Sequence, residues 1–458
     1  MLKRILVANR GEIAVRIIRA CREMNIETVA VYSEADKGAL FATLATRSVC
    51  IGPARAEQSY LNQSAILTAA ITTGCDGLHP GFGFLSENAD FADAVRGQGI
   101  EFIGPLPGTI ATMGDKSTAR RLMKTHGVPI VPGSDGIVAD ADEAARIAAE
   151  IGYPVFIKAS AGGGGRGMRR ADSNDDIADA LSAASGEALA CFGDGSVYIE
   201  KLIENPRHIE VQILADKHGN TIHLGERDCT LQRRNQKVLE ESPSPFCNDE
   251  LRRIMGDIAV SAARAADYIG AGTVEFVVDS NGSFYFIEMN TRIQVEHPVT
   301  EMVTGIDIVR EQIRIASGLP LRYAQEDIVI SGHSIECRVN AEDPENGFNP
   351  CPGKVDYLNL PGGFGVRIDT GLHAGCTISP YYDSMVAKVI VHGKTRNEAI
   401  FRMRRSLEEL IVSGVRTNLS LLYMLLYSPD FLTGRIDTGF IERNLDKLLD
   451  PVKEEMML

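Results

Sequence analysis

The chain lacks the sequence signals of several large protein classes. Its nine cysteines are scattered without a Cys-x-x-Cys pair, so neither a disulfide framework nor a zinc site is indicated. No apolar run is long enough to span a membrane, and charges interrupt the first apolar run, so no signal peptide is expected. Basic residues number 47 against 61 acidic ones, and the net charge of −14 disfavours nucleic acid or an anionic membrane as a partner. A cytoplasmic enzyme of about two to four domains fits these features.

The first third of the chain alternates strand-like and helix-like segments. Strands are expected at residues 4–8, 28–32, 48–51 and 100–103, and a helix with one apolar stripe follows the first of them. This alternation predicts a parallel, doubly wound α/β sheet. A dinucleotide fold would place Gly-x-Gly-x-x-Gly directly after the first strand, but the turn there is Asn9-Arg10-Gly11-Glu12. An NAD-binding first domain is therefore not expected.

Residues 272–290 form a candidate metal site, because two β-rich runs flank the dipeptide Asn281-Gly282. Asn-Gly predicts a two-residue type I′ turn. The resulting register sets Glu275 directly opposite Glu288, with Asn290 on the same face. Two carboxylates directly opposite each other destabilise a sheet. Together with an amide oxygen, however, they form a set of oxygen ligands that suits Mg²⁺ or Mn²⁺. The alternative is an exposed hairpin with solvated acids.

A glycine-dense loop, residues 161–167 (AGGGGRG), follows a strand expected at 154–160. It matches the dinucleotide pattern formally, but residues 168–171 predict a return strand, and no Gly-Lys-Ser/Thr of a Walker A loop follows. A strand–loop–strand with this many glycines predicts a flap whose backbone N–H groups close over phosphates, with Lys158 directed at the same phosphates. A mobile surface loop is the alternative interpretation.

Six motifs, in unbroken order between about residue 2 and residue 445, resemble one branch of the ATP-grasp superfamily. They are ANRGEIA at 8–14, HPGFGFLSEN at 79–88, KASAGGGGRGM at 158–168, ERDC at 226–229, EMNTRIQVEHPVTE at 288–301 and YYDSM at 381–385. Together they resemble the biotin carboxylases, which carboxylate biotin within acetyl-CoA, pyruvate, propionyl-CoA and related carboxylases. The resemblance implies an ATP-grasp fold of α/β and α+β units in which two units clamp ATP.

The same resemblance implies a domain order and a set of site residues. The domains would be an N-terminal Rossmann-like domain at 1–113, an ATP-grasp domain at 114–330 with a lid at about 134–202, a C-terminal biotin carboxylase domain at 331–446, and a tail at 447–458. ATP would be bound by Lys116, Lys158, Gly162, Gly163, Gly164, Gly165, Gly167, Glu200, Lys201, Ile203, His208, Gln232 and Asn235. Bicarbonate would be bound by Lys237, Arg292, Gln294, the Val295 backbone and Glu296, biotin by Arg338 and Phe82, and two Mg²⁺ or Mn²⁺ ions by Glu275, Glu288 and Asn290.

The implied chemistry accounts for these residue types. Glu296 would act as the general base on bicarbonate while Lys237 and Arg292 hold the anion, and attack on the γ-phosphoryl group would give carboxyphosphate and ADP. Arg338 would stabilise the biotin enolate, and its sequence position puts it in a C-terminal unit separate from the other three. An Arg and a Glu four residues apart, as Arg292 and Glu296 are, also occur as surface ion pairs.

Two positions depart from the commoner family pattern. Asn235 stands where His is usual, and Phe82 stands where Tyr is usual, which removes one phenol from the biotin contact.

The sequence has no Ala-Met-Lys-Met biotin-attachment turn and no carboxyltransferase domain. The expected partners are therefore a separate biotin carboxyl carrier protein and a carboxyltransferase subunit. Arg19, Glu23, Phe364 and Arg367 match positions of the family's dimer contact, so a homodimer is expected, although ordinary surface and core residues would fit as well. Another ATP-grasp ligase and a nucleotide-binding regulatory module are the alternatives, and the acyl acceptor stays open.

Overall fold

The computed structural model describes residues 1–160 and 167–450. Most of the predicted glycine flap, Gly162, Gly163, Gly164 and Gly165 included, lies outside the described residues. The chain forms two compact units. The first comprises Met1–Gly114, His208–Glu275 and the chain from Met289 onward, and the second comprises Asp115–Arg207 and Phe276–Glu288. In the described part of the chain, no helix has both the length and the apolar character needed to cross a membrane.

The first unit begins with a parallel sheet. Its elements are β1 (Arg4–Val7), α1 (Gly11–Glu23), β2 (Glu27–Ser33), α2 (Leu40–Leu44), β3 (Arg47–Gly52), α3 (Gln63–Thr72), β4 (Gly77–His79), α4 (Ala89–Gly97), β5 (Glu101–Phe102) and α5 (Pro107–Gly114). The strand order is β3-β2-β1-β4-β5, and all neighbours are parallel. Ile5 and Val7 pack into one apolar cluster with Ile17 of α1, whereas Leu6 packs into another with Phe91. Apolar clusters on both faces confirm the predicted doubly wound sheet.

The second unit is a small α/β layer. Its elements are α6 (Lys116–Thr125), α7 (Ala141–Ile151), β6 (Val155–Ala159), β7 (Met168–Ala171), α8 (Ile177–Phe192) and β8 (Val197–Lys201). The Asp115 carboxylate accepts the Thr118 N–H and so caps the N-terminus of α6. β7 and β8 flank β6, and both pair with it in antiparallel fashion. The predicted return strand is therefore confirmed.

Long antiparallel strands follow, mostly in the first unit; Arg207 and Phe276–Glu288 among their residues belong to the second unit. These elements are β9 (Arg207–Ala215), β10 (Thr221–Arg233), β11 (Gln236–Ser242), α9 (Asp249–Ala265), β12 (Gly270–Val278), β13 (Phe284–Asn290), α10 (His297–Thr304) and α11 (Ile308–Ala316). β10 pairs with β9 on one side and β11 on the other. Alternate residues of β9, such as His208 and Glu210, lie on one face of the sheet.

The C-terminal elements extend this sheet. They are β14 (His333–Asn340), β15 (Glu342–Asp343), β16 (Asn349–Pro350), β17 (Gly353–Lys354), β18 (Tyr357–Asn359), β19 (Val366–Thr370), β20 (Thr377–Ile378), β21 (Met385–Gly393), α12 (Arg396–Glu409), β22 (Ile411–Ser413), α13 (Leu419–Leu425), α14 (Pro429–Leu432) and α15 (Phe440–Leu449). The sheet order is β13-β12-β9-β10-β11-β14-β21-β19. Arg338 on β14 therefore lies on the strand next to the one that carries Lys237. The expectation that Arg338 belongs to a separate unit is not met.

The turn between β12 and β13 differs from the prediction. Of the two central residues, only Gly282 has a positive φ, of 85°. The Asp279 N–H donates to the Ser283 carbonyl at 2.9 Å, so three residues form the loop instead of two. The Asp279 carboxylate also accepts the N–H groups of Asn281 and Ser283, which stabilises the longer turn. The two-residue type I′ turn is therefore wrong, and the register derived from it for the two glutamates loses its basis.

Candidate active site

Three carboxylates surround the partly buried ammonium of Lys237 in the first unit. Lys237 Nζ on β11 lies 2.5 Å from Glu210 Oε2, 2.9 Å from Glu275 Oε1 and 2.6 Å from Glu296 Oε1. Burial acts to lower the pKa of Lys237, but the three carboxylates outweigh burial and raise it well above its ordinary value. Lys237 therefore stays charged, and it donates to all three carboxylates.

Glu296 begins helix α10 and is fully buried. Its Oε1 contacts Lys237, and its Oε2 accepts a hydrogen bond from an Arg338 Nη at 2.8 Å. Burial acts to raise the pKa of Glu296, but the net effect of its charged neighbours, led by Lys237, is to lower it. A charged carboxylate between two cations can accept a proton from an acidic anion that binds beside it.

Arg338 connects Glu296 to a second acid. Its Nε donates to Glu240 Oε1 at 2.5 Å while an Nη donates to Glu296. Burial raises the pKa of Glu240 to about 7, and Arg338 only partly offsets this. Glu240 lies opposite Glu336 in the β11–β14 pairing, and burial raises the pKa of Glu336 well above its ordinary value.

Arg292 joins the same network from the segment before α10. Its Nε donates to Glu87 Oε2 at 2.7 Å, and its two Nη groups donate at 3.0 Å to Asn290 Oδ1 and Gln294 Oε1. The amide groups of Asn290 and Gln294 in turn donate to Glu275 Oε1, at 2.8 Å and 3.0 Å. The residues predicted for bicarbonate are thus linked by direct contacts.

His208 lies in the carboxylate cluster of the first unit. Its Nε2 is 3.0 Å from Glu275 Oε2 and 3.7 Å from Glu210 Oε2. Burial and the charge of Lys237 both act to lower the pKa of His208. The effect of Glu275 and Glu210 is larger and opposite, so the pKa is raised to about 9.

Sequence reasoning missed Glu210, Glu240 and Glu87. Glu210 is fully buried and also accepts Arg227 Nε at 2.6 Å. Its position two residues after His208 on one strand was the available signal, because residues i and i+2 share a face. Glu240 and Glu87 gave no comparable signal.

The second unit holds the predicted nucleotide lysines. Lys158 Nζ donates to Glu200 Oε2 at 2.5 Å, and Glu200 also accepts from Arg120. Lys116 Nζ lies 3.6 Å from Glu288 Oε2, and their side chains are 62% and 37% exposed.

Three further predicted nucleotide residues also belong to the second unit. Lys201 Nζ donates to the carbonyls of Gly152 and Tyr153, and Ile203 lies just beyond the end of β8. Gly167 has φ +69°, and a Cβ there would lie 2.8 Å from Ala159 Cβ, so only glycine fits.

The residues predicted as metal ligands are all oxygen donors, Glu275 and Asn290 in the first unit and Glu288 in the second. Glu275, Asn290 and Glu288 supply carboxylate and amide oxygens, the ligands that Mg²⁺ and Mn²⁺ prefer. His208, Glu210 and Glu275 also place one possible ligand atom each within 4.8 Å of one another.

Comparison with known proteins identifies the family of the chain. Three family models match in succession: "Biotin carboxylase, N-terminal domain" over 1–110, "Carbamoyl-phosphate synthase L chain, ATP binding domain" over 115–324, and "Biotin carboxylase C-terminal domain" over 336–443. Biotin carboxylase 1 of Bacillus subtilis is 55% identical over 443 residues, which are 96% of this chain and 98% of that protein. The chain belongs to the biotin carboxylase family. The predicted family, α/β ATP-grasp fold and ligase class are thereby confirmed.

Two other members of the biotin carboxylase family are also close in sequence. Biotin carboxylase of Haemophilus influenzae is 53% identical over 446 residues, which are 97% of this chain and 99% of that protein. The biotin carboxylase domain dimer of Hydrogenobacter thermophilus 2-oxoglutarate carboxylase, solved with MgADP, ADP and bicarbonate, has a TM-score of 0.90. It is 50% identical and covers 98% of this chain and 99% of that one.

Asn235 and Phe82, the two residues that depart from the biotin carboxylase pattern, both belong to the first unit. Asn235 and Arg234, with φ of 62° and 48°, form a two-residue turn between β10 and β11, whose Arg233 pairs with Gln236. The type I′ geometry expected at the other hairpin is thus found here. Phe82 is half-buried, and its carbonyl accepts the Asn9 amide at 2.7 Å.

The other predicted site and dimer residues make the following contacts. Gln232 donates to the Cys229 carbonyl at 2.9 Å, and the Val295 carbonyl accepts from Lys388 Nζ at 2.8 Å. Of the predicted dimer positions, Phe364 is 91% exposed and Arg19 is exposed, whereas Glu23 lies 3.7 Å from Arg310 and Arg367 is paired with Glu301 and Asp369.

Proposed function

We propose that this enzyme carboxylates biotin, using ATP and bicarbonate and releasing ADP and phosphate. The observation that carries the proposal is the chain of contacts from Lys237 to Glu296 to Arg338, in which a base lies between two cations. Bicarbonate is a poor nucleophile and needs such a base. The bicarbonate and MgADP in the Hydrogenobacter structure support the same chemistry.

In the first step, Lys237 and Arg292 hold the bicarbonate anion and Glu296 takes its proton. The freed oxygen attacks the γ-phosphorus of ATP, and the bond from phosphorus to the bridging oxygen breaks to give carboxyphosphate and ADP. Both cations are held in place before substrate binds, so charge that develops in the transition state meets fixed partners.

In the second step, carboxyphosphate separates into CO₂ and phosphate, and the phosphate takes the N1′ proton of biotin. Arg338 stabilises the resulting ureido enolate, which attacks CO₂ to form carboxybiotin. Because Arg338 donates to Glu296, the same guanidinium contributes to the environment of the base and to that of the enolate. Phe82 offers biotin an apolar surface without a hydroxyl.

The nucleotide contacts are part of the proposal. Lys116, Lys158, Gly167 and the rest of the glycine flap bind the phosphates, Glu200, Lys201 and Ile203 meet the adenine end, and His208, Gln232 and Asn235 complete the set. Glu275, Glu288 and Asn290 would hold two Mg²⁺ or Mn²⁺ ions, which would neutralise charge on the phosphates.

Biotin would arrive on a separate carrier protein, and a carboxyltransferase subunit would consume carboxybiotin in the cytoplasm. The dimer named in the Hydrogenobacter structure supports a homodimer here, with Arg19, Glu23, Phe364 and Arg367 at the contact. The division into domains at 1–113, 114–330 and 331–446 also remains a proposal.

The test measures ADP release and carboxybiotin in one reaction, with and without bicarbonate. Wild type should need bicarbonate for ATP cleavage and form carboxybiotin with free biotin. Arg338→Ala should lose about 10²–10³-fold in carboxybiotin, as expected for one charge-stabilising donor, and less in ADP release. Glu296→Ala should lose both together. ATP cleavage that is indifferent to bicarbonate would contradict the proposal and favour another ATP-grasp ligase.

A further inference from the structure

Lys388 on β21 is a fully buried lysine outside the predicted site. An ammonium in the protein interior is costly unless it is paired, and an apolar residue of similar volume often replaces a buried ion pair without loss of stability. The pKa of Lys388 is raised, because Glu12, Glu336 and Asp369 outweigh the effect of burial, so the ammonium stays charged. The contacts of the charged Lys388 side chain therefore indicate its role.

The ammonium reaches the segment that carries the general base. Lys388 Nζ lies 2.8 Å from the Val295 carbonyl and 3.0 Å from Glu12 Oε1. On β21, Lys388 pairs with Arg338 of β14 on one side and with Asp369 of β19 on the other, so these side chains share a face. Lys388 therefore connects strand β21 of the sheet to the segment that precedes α10.

Val295 lies between two side chains of the site. The Gln294 amide donates to Glu275, and Glu296 contacts both Lys237 and Arg338. The Val295 carbonyl belongs to the peptide that joins Val295 to Glu296. A donor fixed on this carbonyl therefore fixes the peptide plane, and with it the direction in which the Glu296 side chain leaves the backbone.

We propose that Lys388 is a positioning residue for bicarbonate activation, because its hold on the Val295 carbonyl sets the place of the Glu296 carboxylate. The inference rests on the proposed function. A displacement of about 1 Å at a reacting group can cost about 10²-fold in rate, which sets the expected effect.

The test separates this role from simple charge pairing. Lys388→Met removes the donor and leaves Glu12 buried without its cation, so it should lower the melting temperature. Glu12→Gln/Lys388→Met removes both charges and should recover most of that loss. Glu12→Gln alone keeps the donor to Val295 and serves as the matched control, with near wild-type activity.

Initial rates of bicarbonate-dependent ADP release are measured with the full-length chain, at varied bicarbonate and at varied ATP. Both Lys388 variants should lose about 10²-fold in kcat/KM for bicarbonate, while KM for ATP stays unchanged. A double variant that regains wild-type kcat/KM as its melting temperature recovers would show that Lys388 is purely structural. An equal rise in KM for ATP would also overturn the inference. Wild type without any bicarbonate-dependent cleavage would refute the proposed function first, and the inference with it.

Discussion

The two units carry their charged residues in different ways. In the first unit, Lys237 and Arg338 are bonded to carboxylates that are themselves buried. In the second unit, Lys116 and Glu288 are largely or partly exposed, and the distance between them is 3.6 Å. Bonds to buried partners hold the first set of side chains in place, whereas exposed side chains such as Lys116 and Glu288 keep rotamer freedom that a bound ligand would have to restrict. Our proposal therefore assigns bicarbonate to a network of bonded charges, and it assigns the phosphates both to the exposed Lys116 and to Lys158, which is bonded to the buried Glu200.

The largest expected effect is that of Lys237→Met, which tests the network of bonded charges. Bicarbonate-dependent ADP release should disappear, because Glu296 loses one of its two cationic partners, the one that we propose holds bicarbonate. The free energy of unfolding should fall by about 3–5 kcal/mol, since three buried carboxylates lose their shared partner. Urea titration and an ADP-release assay measure the two losses.

Lys217→Met is the matched control for this variant. Lys217 is partly exposed and pairs with Glu101 at 2.9 Å, so its loss should cost at most about 1 kcal/mol and leave activity intact. A Lys237→Met protein as stable as wild type would contradict the comparison between the two units.

Glu288→Lys should abolish turnover without a comparable loss of stability. It puts an ammonium where we propose that a divalent cation binds, but the side chain is 37% exposed, so unfolding should change by less than about 0.5 kcal/mol. Activity at ordinary Mg²⁺ and a urea titration check both parts. Asp135→Lys, which removes another exposed acid paired with a lysine in the same unit, should stay active. Wild-type-like turnover by Glu288→Lys would end the metal assignment.

The pH dependence of the free energy of unfolding is a finer test of the cluster formed by His208, Glu210 and Glu275. The folded pKa of His208, about 9, exceeds its ordinary 6.5, so the folded state holds this proton more tightly than the unfolded state does. The resulting stabilisation is complete below pH 6.5 and is lost as pH rises to about 9, a change of up to ~3 kcal/mol. Urea midpoints at pH 6.5 and 9 should differ less in His208→Gln than in wild type. His126→Gln, at the exposed end of α6, should keep the wild-type slope, and an unaltered slope in His208→Gln would contradict the prediction.

The smallest expected effect concerns Phe82. Phe82→Tyr restores one hydroxyl at the position we assign to biotin, and one neutral hydrogen bond should lower KM for free biotin by at most about tenfold. ADP release without biotin should not change, because the Lys237 and Glu296 contacts are untouched. Steady-state rates at varied biotin measure the effect. A change in the bicarbonate requirement would show that Phe82 influences the charged network.

Periodic, local features of the fold were predictable from the sequence. β1, α1 and β2 follow directly from apolar runs and a helical stripe, and the return strand β7 follows from the pattern around the glycine loop. β4 was missed because three residues, Gly77–His79, carry too short a pattern. The continuity of β14 with β11 was missed as well, since pairing between distant strands leaves no local signal.

The two Asn-containing turns show where local rules fail. Asn281-Gly282 has the stronger hairpin signal, but the Asp279 carboxylate accepts two N–H groups in the loop and favours a longer turn. Arg234-Asn235 has the weaker signal and adopts positive φ at both residues. At the site, resemblance indicated Lys237, Glu296 and Arg338, which the structure brings together, although their roles remain predictions. Glu240 becomes visible only when strands are paired, whereas Glu210 could have been found from its place two residues after His208.

The eight-stranded sheet limits how this protein can be divided. A chain cut near residue 331, where one family model has ended and the next has not begun, would separate β11 from β14. The seven-residue β11, with Val238 and Leu239, would then present a bare edge, and such edges recruit other chains. The segments that separate family models match are therefore not expected to fold independently of each other. A fragment that ends before His333 should aggregate when it is expressed alone, so recombination between relatives would have to exchange β9 to β21 as one piece.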